Sequence, residues 1–177
     1  CIRDRYNQQS QPGKDIALTP RIETFKNDEW YTNLYDLTAN IESTDEKGKL
    51  ELKSNVKLKN EAREVVSDTA SEFDVSYICS AEAMEIKVKT NQNISEETAF
   101  VLPIISPTGE TVNRLSDNEI TIQKPEGLVT IKANVPLKQK DISGARLFNM
   151  VPGVEAIPLE AYFQEDIDEL VLIITVS

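Results

Sequence analysis

Carboxylates are the only plentiful acid–base groups in this chain: 30 Asp and Glu stand against 19 Lys and Arg, and there is no histidine. The missing imidazole removes the usual general base, every Ser-His or Cys-His nucleophile pair and the commonest zinc ligand. A hydrolase would then need two carboxylates about 5 to 10 Å apart across a cleft. Glu96-Glu97 and Glu165-Asp166-Ile167-Asp168-Glu169 are the dense acidic clusters, and both fall in turn-like sequence. Solvated loops are the plainer reading of each. Asp166 and Asp168 are a candidate calcium pair, because hard cations gather oxygen ligands, but the segment lacks the glycine and ligand spacing of an EF-hand loop.

Phe25, Trp30, Tyr31 and Tyr35 concentrate rings in one short stretch of a chain with a single Trp, five Tyr and five Phe. Such rings can stack on the apolar face of a sugar while their polar edges bond hydroxyls. Trp30, Tyr31 and Tyr35 are therefore the candidate ligand-binding residues. The competing reading is that these rings close one end of the core. Cys79 falls in phase with Phe73, Val75 and Tyr77, so it is expected inward, as a small hydrophobe rather than a nucleophile. Asn93-Ile94-Ser95 fits the glycosylation pattern, which carries weight only in a eukaryotic secretory setting.

The net charge of −11 disfavours nucleic acid as a partner. The longest apolar run, Leu170 to Ile174, is far shorter than the roughly 20 residues of a membrane-spanning helix. No cofactor motif is present. The chain opens on Cys1. That suits either the lipid-modified terminus of an exported bacterial lipoprotein, which would make Cys1 a lipid anchor, or a piece of a longer protein. Two cysteines exclude a disulfide framework and leave a Cys1–Cys79 bridge undecided.

The elements that must position these residues are strands. Hydrophobic residues make up 40% of the chain, enough for a core, and β-branched types are abundant. Leu50, Leu52, Val56 and Leu58 alternate with charged neighbours, and Leu37, Ala39 and Ile41 alternate before Asp45-Glu46-Lys47-Gly48, so residues 34–59 read as a hairpin. Phe73 to Cys79 and Met84 to Val88 form a second hairpin about the turn Ser80 to Ala83. Further strands are expected at 99–106, 118–123, 128–135, 145–151, 155–163 and 169–176. Pro152-Gly153 marks a turn between Met150 and Val154. Asn60 to Ala70 is the one stretch with room for a helical turn. The expectation is an all-β fold, an antiparallel β-sandwich of about ten strands, spanning residues 21–177 behind a polar strand or linker segment over 1–20.

Arg146 to Leu159, with Phe100-Val101-Leu102-Pro103-Ile104-Ile105 before it, resembles the closing strands of the C-terminal β-sandwich in heparinase II/III-like polysaccharide lyases of gut-type bacteria. The likeness covers residues 70–177 and rests on strand patterning and one loop. In that family an all-α toroid carries the catalytic Asn, Tyr and His residues while sandwich domains close over the cleft. The resemblance implies a non-catalytic domain, exported by a bacterium to the periplasm or cell surface, with a glycan or a catalytic domain outside this chain as partner. Without histidine no catalytic position carries over. The alternative is an immunoglobulin-like adhesive module that binds protein.

Overall fold

The computed structural model describes residues 19–107, 110–139, 154–164 and 167–177, except the side chains of 105–107 and 154–156. Among them are thirteen strands in two antiparallel sheets, where the sequence suggested about ten. The first sheet runs β11 (Leu137–Gln139), β12 (Val154–Tyr162), β7 (Ala99–Pro107), β1 (Arg21–Lys26), β2 (Glu29–Thr32). The second runs β3 (Ile41–Glu46), β4 (Lys49–Lys57), β5 (Glu72–Cys79), β6 (Ala83–Lys89), β13 (Glu169–Val176), β10 (Gly127–Ala133), β9 (Glu119–Lys124), β8 (Val112–Ser116).

Period-2 alternation sends one face of each sheet into a shared core. Ile22, Phe100, Leu102, Leu137, Ile157, Leu159 and Ala161 come from the first sheet; Phe73, Val75, Ile86, Val88, Ile120, Ile122, Ile131, Leu170 and Leu172 come from the second. Phe73 and Phe163 meet across it with ring centroids 5.6 Å apart. The outer row of the first sheet is also buried in part: Arg21 and Glu23 pair at 2.5 Å with almost no exposure. Pro103 and Pro158 are opposed partners in β7 and β12. Neither has an N–H to donate to the ladder.

The β5–β6 hairpin matches its expectation closely. The first hairpin does not begin at 34: Asn33–Tyr35 form a short 3-10 helix, Thr32 Oγ1 accepts from the Leu34 N–H, and pairing starts at Ile41 opposite Ser54. The inner phase of Leu50, Leu52, Tyr77 and Cys79 is as read, yet burial fades along it. Val56, Val75, Ile86 and Val88 are enclosed, Leu52, Tyr77 and Cys79 are half-buried, and Leu50 is 40% exposed. Leu50, Cys79, Met84 and Ile174 form one cross-strand row, exposed at Leu50 and Met84 but packed on the core from Ile174 onward. Asn60–Ala70 holds no helix: Asn60 accepts from the Glu64 N–H through Oδ1 and donates its own N–H to the Glu64 carbonyl, and the preceding Lys59 bridges Val65. The expected strand at 145–151 and the Pro152-Gly153 turn lie outside the described residues.

Candidate functional site

Asn27 and Asp28 both take positive φ, 52° and 63°, making a two-residue turn whose twist suits a tight hairpin. Its register sets Phe25 directly opposite Trp30. Their ring centroids are 5.1 Å apart and their planes inclined by 50°. Both remain open to solvent, Phe25 at 39% and Trp30 at 37%.

Three other strand-end groups complete a cleft of about 970 Å³ with this pair. Glu96 and Glu97 precede β7, Tyr162, Phe163 and Gln164 close β12, and Lys138 comes from β11. The pairing explains the convergence: Lys138 is the partner of Glu160, and Tyr162 that of Ala99. The Lys138 Nζ sits over the Tyr162 ring, 4.4 Å from its centroid. The Tyr162 hydroxyl donates to Glu160 at 3.2 Å. Burial, then the charge and hydrogen bond of Glu160, push the Tyr162 phenol up to about 12, so at neutral pH it is a hydroxyl and not a phenolate base. The cleft thus offers ring faces, one ammonium, two carboxylates, a phenol and an amide. That is recognition chemistry for a polyhydroxylated ligand.

Of the ring candidates for ligand binding, Trp30 alone lines the cleft, together with Glu96 and Glu97 of the first acidic cluster. Tyr31, next to Trp30 in β2, points to the opposite face, packs on the core and donates its hydroxyl to Glu29 at 3.2 Å. Tyr35 lies half-buried in the 3-10 helix, its phenol pushed up by burial and by the charge of Glu61. Phe25 was noted in the same ring cluster; Tyr162, Lys138 and Gln164 were missed. Asp168 is exposed, Asp166 is outside the described residues, and among the described residues no three Cys, Asp or Glu side chains converge as a metal would require. Cys79 is a free, half-buried thiol and Cys1 is outside the described residues.

A second hollow of about 750 Å³ crosses the outer face of the larger sheet, past Lys53, Lys57, Lys87, Lys89, Asp74 and Glu169. Its lysines alternate with carboxylates, as in Lys57–Glu72 at 2.8 Å, Lys53–Glu51 at 3.1 Å and Lys87–Glu85 at 3.3 Å. No ring lines it. This is a solvated charge ladder of the kind that adds little affinity. Among the described residues no helix is long and apolar enough to cross a membrane.

A family model described as the ulvan lyase C-terminal domain matches residues 1–177. A curated relative, a broad-specificity ulvan lyase of Formosa agariphila, is 64% identical over 171 residues, covering 97% of this chain but only 27% of the relative. The resemblance read from the sequence therefore holds at the level of a polysaccharide lyase C-terminal domain, and the family matched is that of the ulvan lyases rather than the heparinase II/III-like enzymes.

Proposed function

Because the chain belongs to the ulvan lyase C-terminal domain family, we propose that it is a non-catalytic β-sandwich that accompanies the catalytic part of a polysaccharide lyase and keeps that enzyme on its glycan. One observation carries this: the family match runs over residues 1–177, while the same residues correspond to 27% of the related lyase. The chemistry supports it. The chain has no histidine, and the one phenol in the aromatic cleft holds its proton at neutral pH. Glycan polymers are met outside the cell, which favours an exported protein.

The test compares a full-length lyase carrying this domain with the same enzyme lacking it, following the ultraviolet absorbance of the unsaturated product. Removal should slow turnover of polymeric ulvan several-fold and leave cleavage of short oligosaccharides unchanged. Unsaturated ends released by the isolated chain would show that it is catalytic after all.

A further inference from the structure

We propose that the cleft between the Phe25–Trp30 pair and the Tyr162–Lys138 pair is a sugar-binding site, and that it takes a sugar bearing an anionic group, with the ring face on Trp30 and the anion at Lys138. This deepens the reading of the chain as a glycan-holding domain and rests on it.

Single exposed apolar residues are ordinary on protein surfaces, but a matched pair over a hollow is a patch with a shape. Phe25 and Trp30 are locked opposite each other by the Asn27-Asp28 turn, so the ring platform is preformed and costs little ordering on binding. Tyr162 stands on β12, two strands from β1, with β7 between them. Register leads from Tyr162 through Ala99 to Glu23, two residues before Phe25, so the two ring pairs stand farther apart than the roughly 10 Å of two strand spacings, at opposite ends of one cleft.

The polar groups give the cleft a direction. The Lys138 ammonium lies over the Tyr162 ring, and the carboxylate of its cross-strand partner Glu160 accepts the Tyr162 hydroxyl. A cation held over a ring keeps donors for an incoming anion. Glu96 and Glu97 also line the cleft, where they can accept sugar hydroxyls and repel a second anion. Since the whole chain carries −11, its distant field works against an anionic glycan, and selectivity must come from this short-range contact.

Trp30 is the sole tryptophan, so it reports its own occupancy. The isolated chain would be titrated with ulvan oligosaccharides and with the same oligosaccharides after reduction of their carboxyl groups to alcohols. Trp30 emission should shift, and more strongly with the acidic set. By calorimetry, Trp30→Ala should bind about tenfold more weakly with an unchanged melting temperature, and Trp30→Phe should recover most of the loss. Lys138→Met should abolish the preference for the acidic set while binding the reduced set as before. Undiminished affinity in Trp30→Ala, or an acid preference that survives Lys138→Met, would overturn the site. If the wild-type chain binds neither set, the site is overturned as well. The accessory role is judged apart from this, by the domain-deletion comparison above.

Discussion

Lys59 reaches back from the end of β4 to donate to the Asp36 carboxylate at 2.8 Å, tying the segment after the 3-10 helix to the larger sheet. The same carboxylate accepts the Lys57 N–H at 2.9 Å and both the N–H and hydroxyl of Thr38. Next to it, Thr32 and Lys59 exchange backbone bonds of 2.9 and 3.1 Å, so the first sheet is joined to the second at this point.

Burial alone would raise the Asp36 carboxyl, but the bonds from Lys59, Thr38 and the Lys57 amide outweigh it and hold it well below the ordinary carboxylate range. A folded-state value below the unfolded one means the unfolded chain binds more protons, so the stabilisation is present above about pH 4 and is lost as pH falls. Asp36→Ala should cost about 2 kcal/mol at pH 7. Denaturant titrations of wild type and variant should converge as the pH drops below 4. A gap that stays constant down to pH 2 would contradict this account.

The opposite limb belongs to Tyr162. Its folded phenol ionises near 12, against 10.0 for the free group, because of burial and the Glu160 charge. Over that window the folded chain holds a proton that the unfolded chain has released, so stability falls as pH rises from 10 to 12. Tyr162→Phe should flatten this alkaline loss. In a tyrosinate absorbance titration it should also remove a late-ionising component, and an unchanged curve would mean that Tyr162 is not the shifted group.

What the sequence made legible was periodicity. The β5–β6 hairpin was readable because Phe73, Val75, Met84, Ile86 and Val88 alternate cleanly about a short turn. The same alternation could have separated Trp30 from Tyr31, since adjacent strand residues face opposite ways; grouping rings by proximity in sequence concealed it. Tyr162 and Lys138 were beyond reach for another reason. They join Trp30 only through the β11–β12, β12–β7, β7–β1 and β1–β2 pairings, and all but the last are long-range strand order that leaves no local signature. Nor does alternation report how far a facing sheet extends, so Leu50 and Ile86 look equivalent in sequence and differ in burial.

That difference is measurable. Ile86 is fully enclosed between its partners Tyr77 and Leu172, whereas Leu50 stands at the exposed end of the row with Cys79 and Met84. Ile86→Ala should cost about 2 to 5 kcal/mol through lost burial and a residual cavity. Leu50→Ala should cost about 1 kcal/mol or less. Equal costs by chemical denaturation would mean that the larger sheet is covered along its whole length.

Two glycines should fail for different reasons when a side chain is added. Gly48 sits at φ +78 in the turn after Lys47, itself at φ 53, and a Cβ there would meet nothing within 4 Å. Its constraint is conformational: Gly48→Ala should cost about 1 to 2 kcal/mol, and Gly48→Asn less, because Asn tolerates the left-handed region. Gly127 opens β10 where β13 ends beside it. The Leu128 N–H donates to the Ser177 carbonyl at 2.7 Å and the Ser177 N–H to the Leu128 carbonyl at 3.0 Å. A Cβ on Gly127 would lie 2.5 Å from that Ser177 oxygen, a backbone atom that cannot rotate away. Gly127→Ala should therefore push Ser177, just past β13, off β10, at a cost of about 1 to 3 kcal/mol. Gly127→Asn should give no relief, since the obstacle is space and not φ. Hydrogen exchange separates the two cases. Gly127→Ala should speed exchange of the Leu128 and Ser177 amides and spare the β3–β4 turn, and Gly48→Ala should do the reverse. Protection of Leu128 and Ser177 that survives Gly127→Ala would show that the end of β13 can yield without releasing its pairing.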